Sequence, residues 1–277
     1  MNRSLVRWIA GGAVAAASSL PLLISQPAGA ASLPANLAKF ANCPIDNPSV
    51  DVCLYSATSS TTFVIGSTTI TSTSPTKVSL GLSFNAQGQP TVVLPDNGTQ
   101  AITSPAIPLP GGLLGIPGAP DSGPLQVTVT PQLAGTPVVS LGNLLTANGP
   151  GFTLPIDVLI SNSSGLLGSD CTIGDAASPI TLNLTTGTTN PPSPNKPISG
   201  QVGTVKSKNT GIVSIRGLKL VDNAFAVPSA DNCGPGGILD EILDLDKGLP
   251  SAAGNNAATL AGSSFTAPAS LIRKYLG

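Results

Sequence analysis

The chain has 277 residues, with 9% charged and 3% aromatic side chains, 31 glycines, 27 prolines and no histidine. Lacking histidine, it cannot build a Ser-His-Asp triad, a Cys-His pair or a histidine metal centre. A net charge of −1 gives no basic footprint for nucleic acid. A hydrophobic fraction of 41% argues against disorder, and abundant Val, Ile and Thr beside few charged helix formers point to an all-β chain.

The first residues read as a secretory signal peptide, 1–30. Arg3 and Arg7 form a basic start, Trp8–Ile24 is apolar, and Ala28-Gly29-Ala30 fits a small-residue cleavage site. Pro21 breaks the apolar run, which argues against a membrane anchor, and no later run of about 18 apolar residues spans a bilayer. Arg3 and Arg7 are not adjacent, which favours a Sec-type route over a twin-arginine one. The secreted region is then 31–277.

Residues 31–62 read as an extended leading segment. Phe63–Thr71 reads as a strand pair or a bulged strand. Lys77–Phe84 alternates Val78, Leu80, Leu82 and Phe84 with Ser79, Gly81 and Ser83, the period of a half-buried strand. Thr91–Leu94 is a short strand before the Pro95–Gly98 turn. Ser104–Pro124 is Pro/Gly-rich yet carries Ile107, Leu109, Leu113, Leu114 and Ile116. Its prolines exclude a helix or a central strand, leaving a loop packed across a sheet or an exposed apolar flap.

Further strands are expected at Leu125–Thr130, Thr136–Leu141, Phe152–Ile160 and Ile180–Leu184, with Pro155 marking an edge or a bulge. Leu154–Gly187 reads as a strand, a polar loop with a Leu166-Leu167 tip, a cysteine and a second strand. Thr185–Pro197 reads as a low-complexity linker or exposed loop. In Ile212–Val221 the apolar phase switches between Ile215 and Leu218, which predicts a β-bulge at Gly217. Ile238–Lys247 shows helical spacing, with Asp240, Glu241 and Asp244 expected to be solvated. These elements predict an antiparallel β-sandwich with long Pro/Gly loops and one short helix near 238–247. One body and two lobes, about 31–147 and 152–277, both fit.

Four cysteines in an exported chain imply two disulfides. Asn47-Pro48 makes a turn between Cys43 and Cys53, so that pair and Cys171 with Cys233 are preferred. No C-x-x-C, G-x-S-x-G or P-loop is present. Ser74–Lys77 and Ser193–Lys196 match S-x-x-K, but prolines break the helical turn that this chemistry needs. Asp157, Asp170, Asp175, Asp222 and Asp231 are the carboxylates open to a hydrolase. Without aromatic platforms for sugar rings, they read as turn aspartates. Asp170 with Asp175, and Asp244 with Asp246, offer too few oxygens for calcium. No catalytic residue, metal ligand or cofactor is assigned.

The phrases FANCP (40–44), VCLYS (52–56), IGSTT (65–69), TPQLAG (130–135), SPITLNLTTGTT (178–189), GLKLVDNAFAVP (217–228) and GLPSAAGNN (248–256) resemble a family of secreted actinobacterial proteins. The resemblance spans nearly all of 31–277. It implies an extracellular compartment and a lineage, but no activity and no site residues.

The sequence leads to a non-catalytic protein of the cell envelope or extracellular space that acts by surface recognition. Ile107, Leu109, Leu113, Leu114, Ile116, Leu166 and Leu167 are its candidate contact surface. A cell-wall component, an envelope lipid or another secreted protein is the expected partner, not nucleic acid. The alternative is a carrier of an apolar ligand such as an envelope lipid, and an aspartate-only hydrolase is more remote. A Leu/Val-lined cavity on the order of several hundred Å³ favours the carrier. A filled core with an exposed apolar patch favours recognition, and two close aspartates in a cleft favour the hydrolase.

Overall fold

The structure, a computed structural model, describes residues 33–96, 101–112, 123, 126–207 and 211–276. The expected signal peptide, part of the Pro95–Gly98 turn, and Leu113, Leu114 and Ile116 lie outside the described residues.

The strands and helices follow in chain order. The first part holds β1 (Val52–Ile65), β2 (Thr68–Ser72), β3 (Lys77–Phe84), β4 (Pro90–Val93), β5 (Ile102–Thr103) and β6 (Ile107–Pro108). Next come β7 (Val127–Leu133), β8 (Val138–Val139), α1 (Leu141–Thr146), β9 (Pro150–Asn162), β10 (Thr172–Ile173) and β11 (Ile180–Thr185). The chain continues with β12 (Thr204–Ser207), β13 (Val213–Asp222), β14 (Ala230–Asp231), α2 (Asp240–Lys247), β15 (Ala257–Pro268) and α3 (Ala269–Leu276).

The strand pairing is antiparallel and continuous, yet it narrows sharply at one place. β11 and β13 share a single residue pair, Thr185 with Val221. On one side of this seam β7, β9 and β11 form a sheet, extended by β6, β8, β10 and β14. On the other side the order is β12-β13-β15-β1-β3, with β2, β4 and β5 added. At the far edge the chain steps from β5 on β3 to β6 on β7 through Ser104–Ala106. The result is an antiparallel β-sandwich. Its inner faces share one core, to which the first sheet gives Val129, Leu154 and Leu182 and the second Leu54, Leu80 and Leu82.

Residues 32–277 form one compact unit. Strands from either side of 148–151 pair along their length, as β1 does with β15 from Val52↔Pro268 to Val64↔Ala257. The 31–62 segment is only partly a leader, because β1 lies in the middle of the second sheet. Its earlier part and α3 cover the outer face of that sheet, burying Leu37, Phe40, Val50 and Ile272 in a second cluster. Gly81 leaves the room they need: a Cβ there would meet Val50 at 2.8 Å. The Cys43–Cys53 disulfide pins this layer. Arg273 donates to the backbone carbonyls of Ile45, Asn47 and Val50, closing the layer from the helix side.

Several expectations are corrected. β9 is not an edge strand, since it pairs with β10 and β11 on one side and with β7 and β8 on the other. Pro155 is tolerated because it sits opposite the gap between β7, ending at Leu133↔Ile156, and β8, starting at Val138↔Thr153. Of the expected strand 136–141 only Val138–Val139 forms. Ser140 instead caps α1, its hydroxyl accepting from the Asn143 N–H. Thr185–Pro197 is not a free linker: Thr185 and Thr186 are buried, and Asn195 Nδ2 donates to the carbonyls of Asn223 and Asn256. The predicted helix begins at Asp240 rather than 238, after left-handed Gly236 and Gly237, and Gly248 ends it.

Candidate functional site

The site begins with two irregularities in the second sheet. Between β13 and β15 the register shifts between Arg216 and Leu218, where Gly217 takes a φ of 73°. This is the predicted bulge. Between β1 and β15 a second shift falls between Thr58 and Ser60. Both bulges flank Gly262, which pairs with Leu218 on one side and Thr58 on the other. The close approach demands glycine, since a Cβ at 262 would lie 2.3 Å from the Ala57 carbonyl oxygen.

Each bulge shifts the two-residue alternation by one, so the inner face changes parity along β1 and β13. On β1 the inner residues are Ser56 and Thr58 before the bulge and Thr61, Phe63 and Ile65 after it. On β15 they are Leu260, Gly262 and Ser264. These inner side chains are small or hydroxylated in the middle of the sheet. Facing sheets sit about 10 Å apart and need large residues to fill the gap.

A cavity of about 130 Å³ remains between the sheets. Val129, Leu154 and Leu182 line it from the first sheet, and Phe63, Leu220 and Leu260 from the second. No charged side chain is among its lining residues. A smaller void of about 30 Å³ continues it, sharing Ile65, Ile70, Val129, Val158 and Ile180. Leu243 of α2 and Leu249 close that end.

The two ends differ in polarity. At the bulged end the Ser56 and Ser264 hydroxyls share a 2.6 Å hydrogen bond, and Thr58 Oγ1 accepts from the Thr76 N–H at 2.9 Å. Thr76 Oγ1 and Ser104 Oγ share a bond of 3.1 Å. Thr61 is buried, and its hydroxyl has no hydrogen-bond partner. At the α2 end lies Lys247, buried and paired with Asp246 at 2.5 Å. Its Nζ also donates to the carbonyls of Pro110 and Gly112, tying α2 to the start of the Pro/Gly-rich stretch.

The expected contact surface is largely withdrawn. Ile107, Leu109 and Leu167 are buried in the main core, because β6 and its flank pack inward and the Leu167 carbonyl accepts from Gly234 N–H. Leu166 alone of the described members is exposed, at 45%. The residues missed by sequence reading are on α2 and just before it: Ile238, Ile242 and Leu245 are 70%, 43% and 79% exposed. Helical spacing marked Ile238 and Ile242, but it could not show that Leu239, Leu243 and Leu249 are the ones that turn inward.

The aspartates are dispersed. Asp222 is buried, its carboxylate accepting from the Asn183 N–H across the β11–β13 seam and from the Ala224 N–H two residues on. Burial raises its pKa above the ordinary aspartate value, against the opposing pull of those hydrogen bonds. Asp157 on β9 is also pushed up, first by burial and then by repulsion from Asp175. Asp175 is committed to its own turn, accepting from Ala177 and Ser178. Asp231 lies on the exposed end of β14, bonded to Asn232. Asp240 and Asp244, expected to be solvated, instead accept from Cys233 N–H and Ala230 N–H and hold α2 in place. Among the described residues no group of three or more His, Cys, Asp or Glu is placed to hold a metal.

The cysteines pair as the turn chemistry suggested, Cys43 with Cys53 and Cys171 with Cys233. Among the described residues no helix is long and apolar enough to cross a membrane. No protein-family model, curated protein or solved structure matches the chain.

Proposed function

We infer that this protein is an exported, non-catalytic carrier that holds an apolar molecule between its two sheets. The observation that carries the reading is the cavity of about 130 Å³ with no charged lining residue, in a core that otherwise has the residues to close. A hydrocarbon-lined space of about 150 Å³ is enough to stay dry and take up benzene. Sites that engulf drug-sized ligands run from about 300 Å³, so the resting cavity suits a slender group. A bulkier ligand requires the sheets to part, and on one edge a single backbone pair and the Asp222 carboxylate hold them together. Two disulfides suit an extracellular compartment, in line with the signal peptide read from 1–30.

A second reading is surface recognition through α2 and the turn before it, favoured by the exposed Ile238, Ile242 and Leu245. Native mass spectrometry of protein from the medium of its own host separates the two. An extra mass that organic extraction removes supports the carrier. A bare mass, unchanged after incubation with lipid extract, counts against it and leaves α2 as the functional surface.

A further inference from the structure

We propose that the ligand is an uncharged amphiphile with one linear hydrocarbon chain, its polar head at the Thr61 hydroxyl just past the β1 bulge and its chain running toward α2. This rests on the carrier reading and adds the ligand's class and orientation.

The shape argues for a chain. Lining residues on β1 extend from Ser56 to Ile65, roughly 25–30 Å of strand at about 3.3 Å per residue. About 130 Å³ shared over a lining of that length favours a slender ligand over a broad one. The small void beside Leu243 prolongs the same cavity.

The chemistry argues for a neutral head. Ser56, Thr58, Thr76 and Ser264 place hydroxyls at one end of the lining, and Thr61 adds another past the bulge, toward the middle of β1. Ser56, Thr58, Thr76 and Ser264 already have partners, whereas the Thr61 hydroxyl is buried without one. An unmet buried hydroxyl is costly, and a one-third turn about χ1 carries its oxygen to the place the methyl group held. A ligand hydroxyl, ester or amide supplies the missing partner. An anionic head finds no cation among the lining residues of this cavity, and the buried ammonium of Lys247, beyond the α2 end, is already paired with Asp246.

The test is binding of hexadecanol, palmitate and cholesterol to the delipidated full chain, read by native mass spectrometry and by displacement of an apolar fluorescent dye. At about pH 8 hexadecanol should bind at least about tenfold more tightly than palmitate, since an unpaired carboxylate is far costlier to take out of water. Thr61→Val keeps the side-chain shape, and it should reduce hexadecanol to the affinity of hexadecane while leaving hexadecane unchanged. If none of the three binds, the carrier reading falls and this inference with it. Palmitate binding as tightly as hexadecanol overturns the neutral head while the carrier stands. Tighter binding of cholesterol than of hexadecanol overturns the linear chain in the same way.

Discussion

Asn256 is fully buried beside α2 and the β15 start, and its side chain is wholly engaged. Its Oδ1 accepts from Gly66 N–H and the Ser251 hydroxyl, while Nδ2 faces the carbonyls of Phe225, Ser251 and Ala252. Asn256→Ala strands several of these groups at about 1–3 kcal/mol each, so a loss of about 3 kcal/mol or more is expected in urea unfolding. Asp222 gives a pH signature. Because burial raises its pKa in the folded chain, the native state holds this proton more tightly than the unfolded state does. Its contribution to stability is therefore full below the unfolded aspartate pKa and is lost as pH rises through the folded one. Asp157 shifts the same way, so Asp222→Asn should flatten the fall of urea midpoint with pH without abolishing it. The slope is the readout, because asparagine keeps only one of the two acceptors.

At the scale of elements, the two strands hardest to see in the sequence are the two at the centre of the second sheet. β3, β9, β11 and β13 were legible because large apolar residues alternate along them, and the phase switch at Gly217 even located a bulge. β1 and β15 escaped because their inner faces use Ser56, Thr58, Thr61, Ala258, Gly262 and Ser264, and the bulge after Thr58 breaks what alternation there is. The cavity was illegible for the same reason, since side chains too small to show a hydrophobic period are also too small to fill the space. α1 was missed because its strongest signal, Ser140 as a cap, lay inside an apparent strand run. The twin bulges around Gly262 yield the next prediction. Gly262→Ala forces a methyl group into the Ala57 carbonyl and should cost about 1–3 kcal/mol by overpacking. Apolar-dye binding should fall with it if the bend shapes the cavity.

For the molecule as a whole, stability is shared between two clusters on the two faces of one sheet and two covalent ties. Cys171 and Cys233 close 62 residues and Cys43 and Cys53 close 10. Loop entropy assigns about 4 kcal/mol to the first and about 3 kcal/mol to the second. Replacing both members of the first pair by alanine should therefore lower the unfolding free energy more than the same change at the second, as chemical denaturation can measure. The position of β15 bears on how the chain reaches this state. It lies between β13 and β1, yet it is the last strand in chain order among the described residues, and Ser56 meets Ser264 across 208 positions. A chain emerging from a ribosome or a pore, amino end first, cannot assemble the second sheet until Pro268 is out. Until then β1 waits with its central edge bare, and such edges invite pairing with other chains. Contacts this distant also make for slow folding. The short Cys43–Cys53 loop is the tie that can form early in that interval, holding the amino-terminal layer beside β1 while the rest of the sheet arrives.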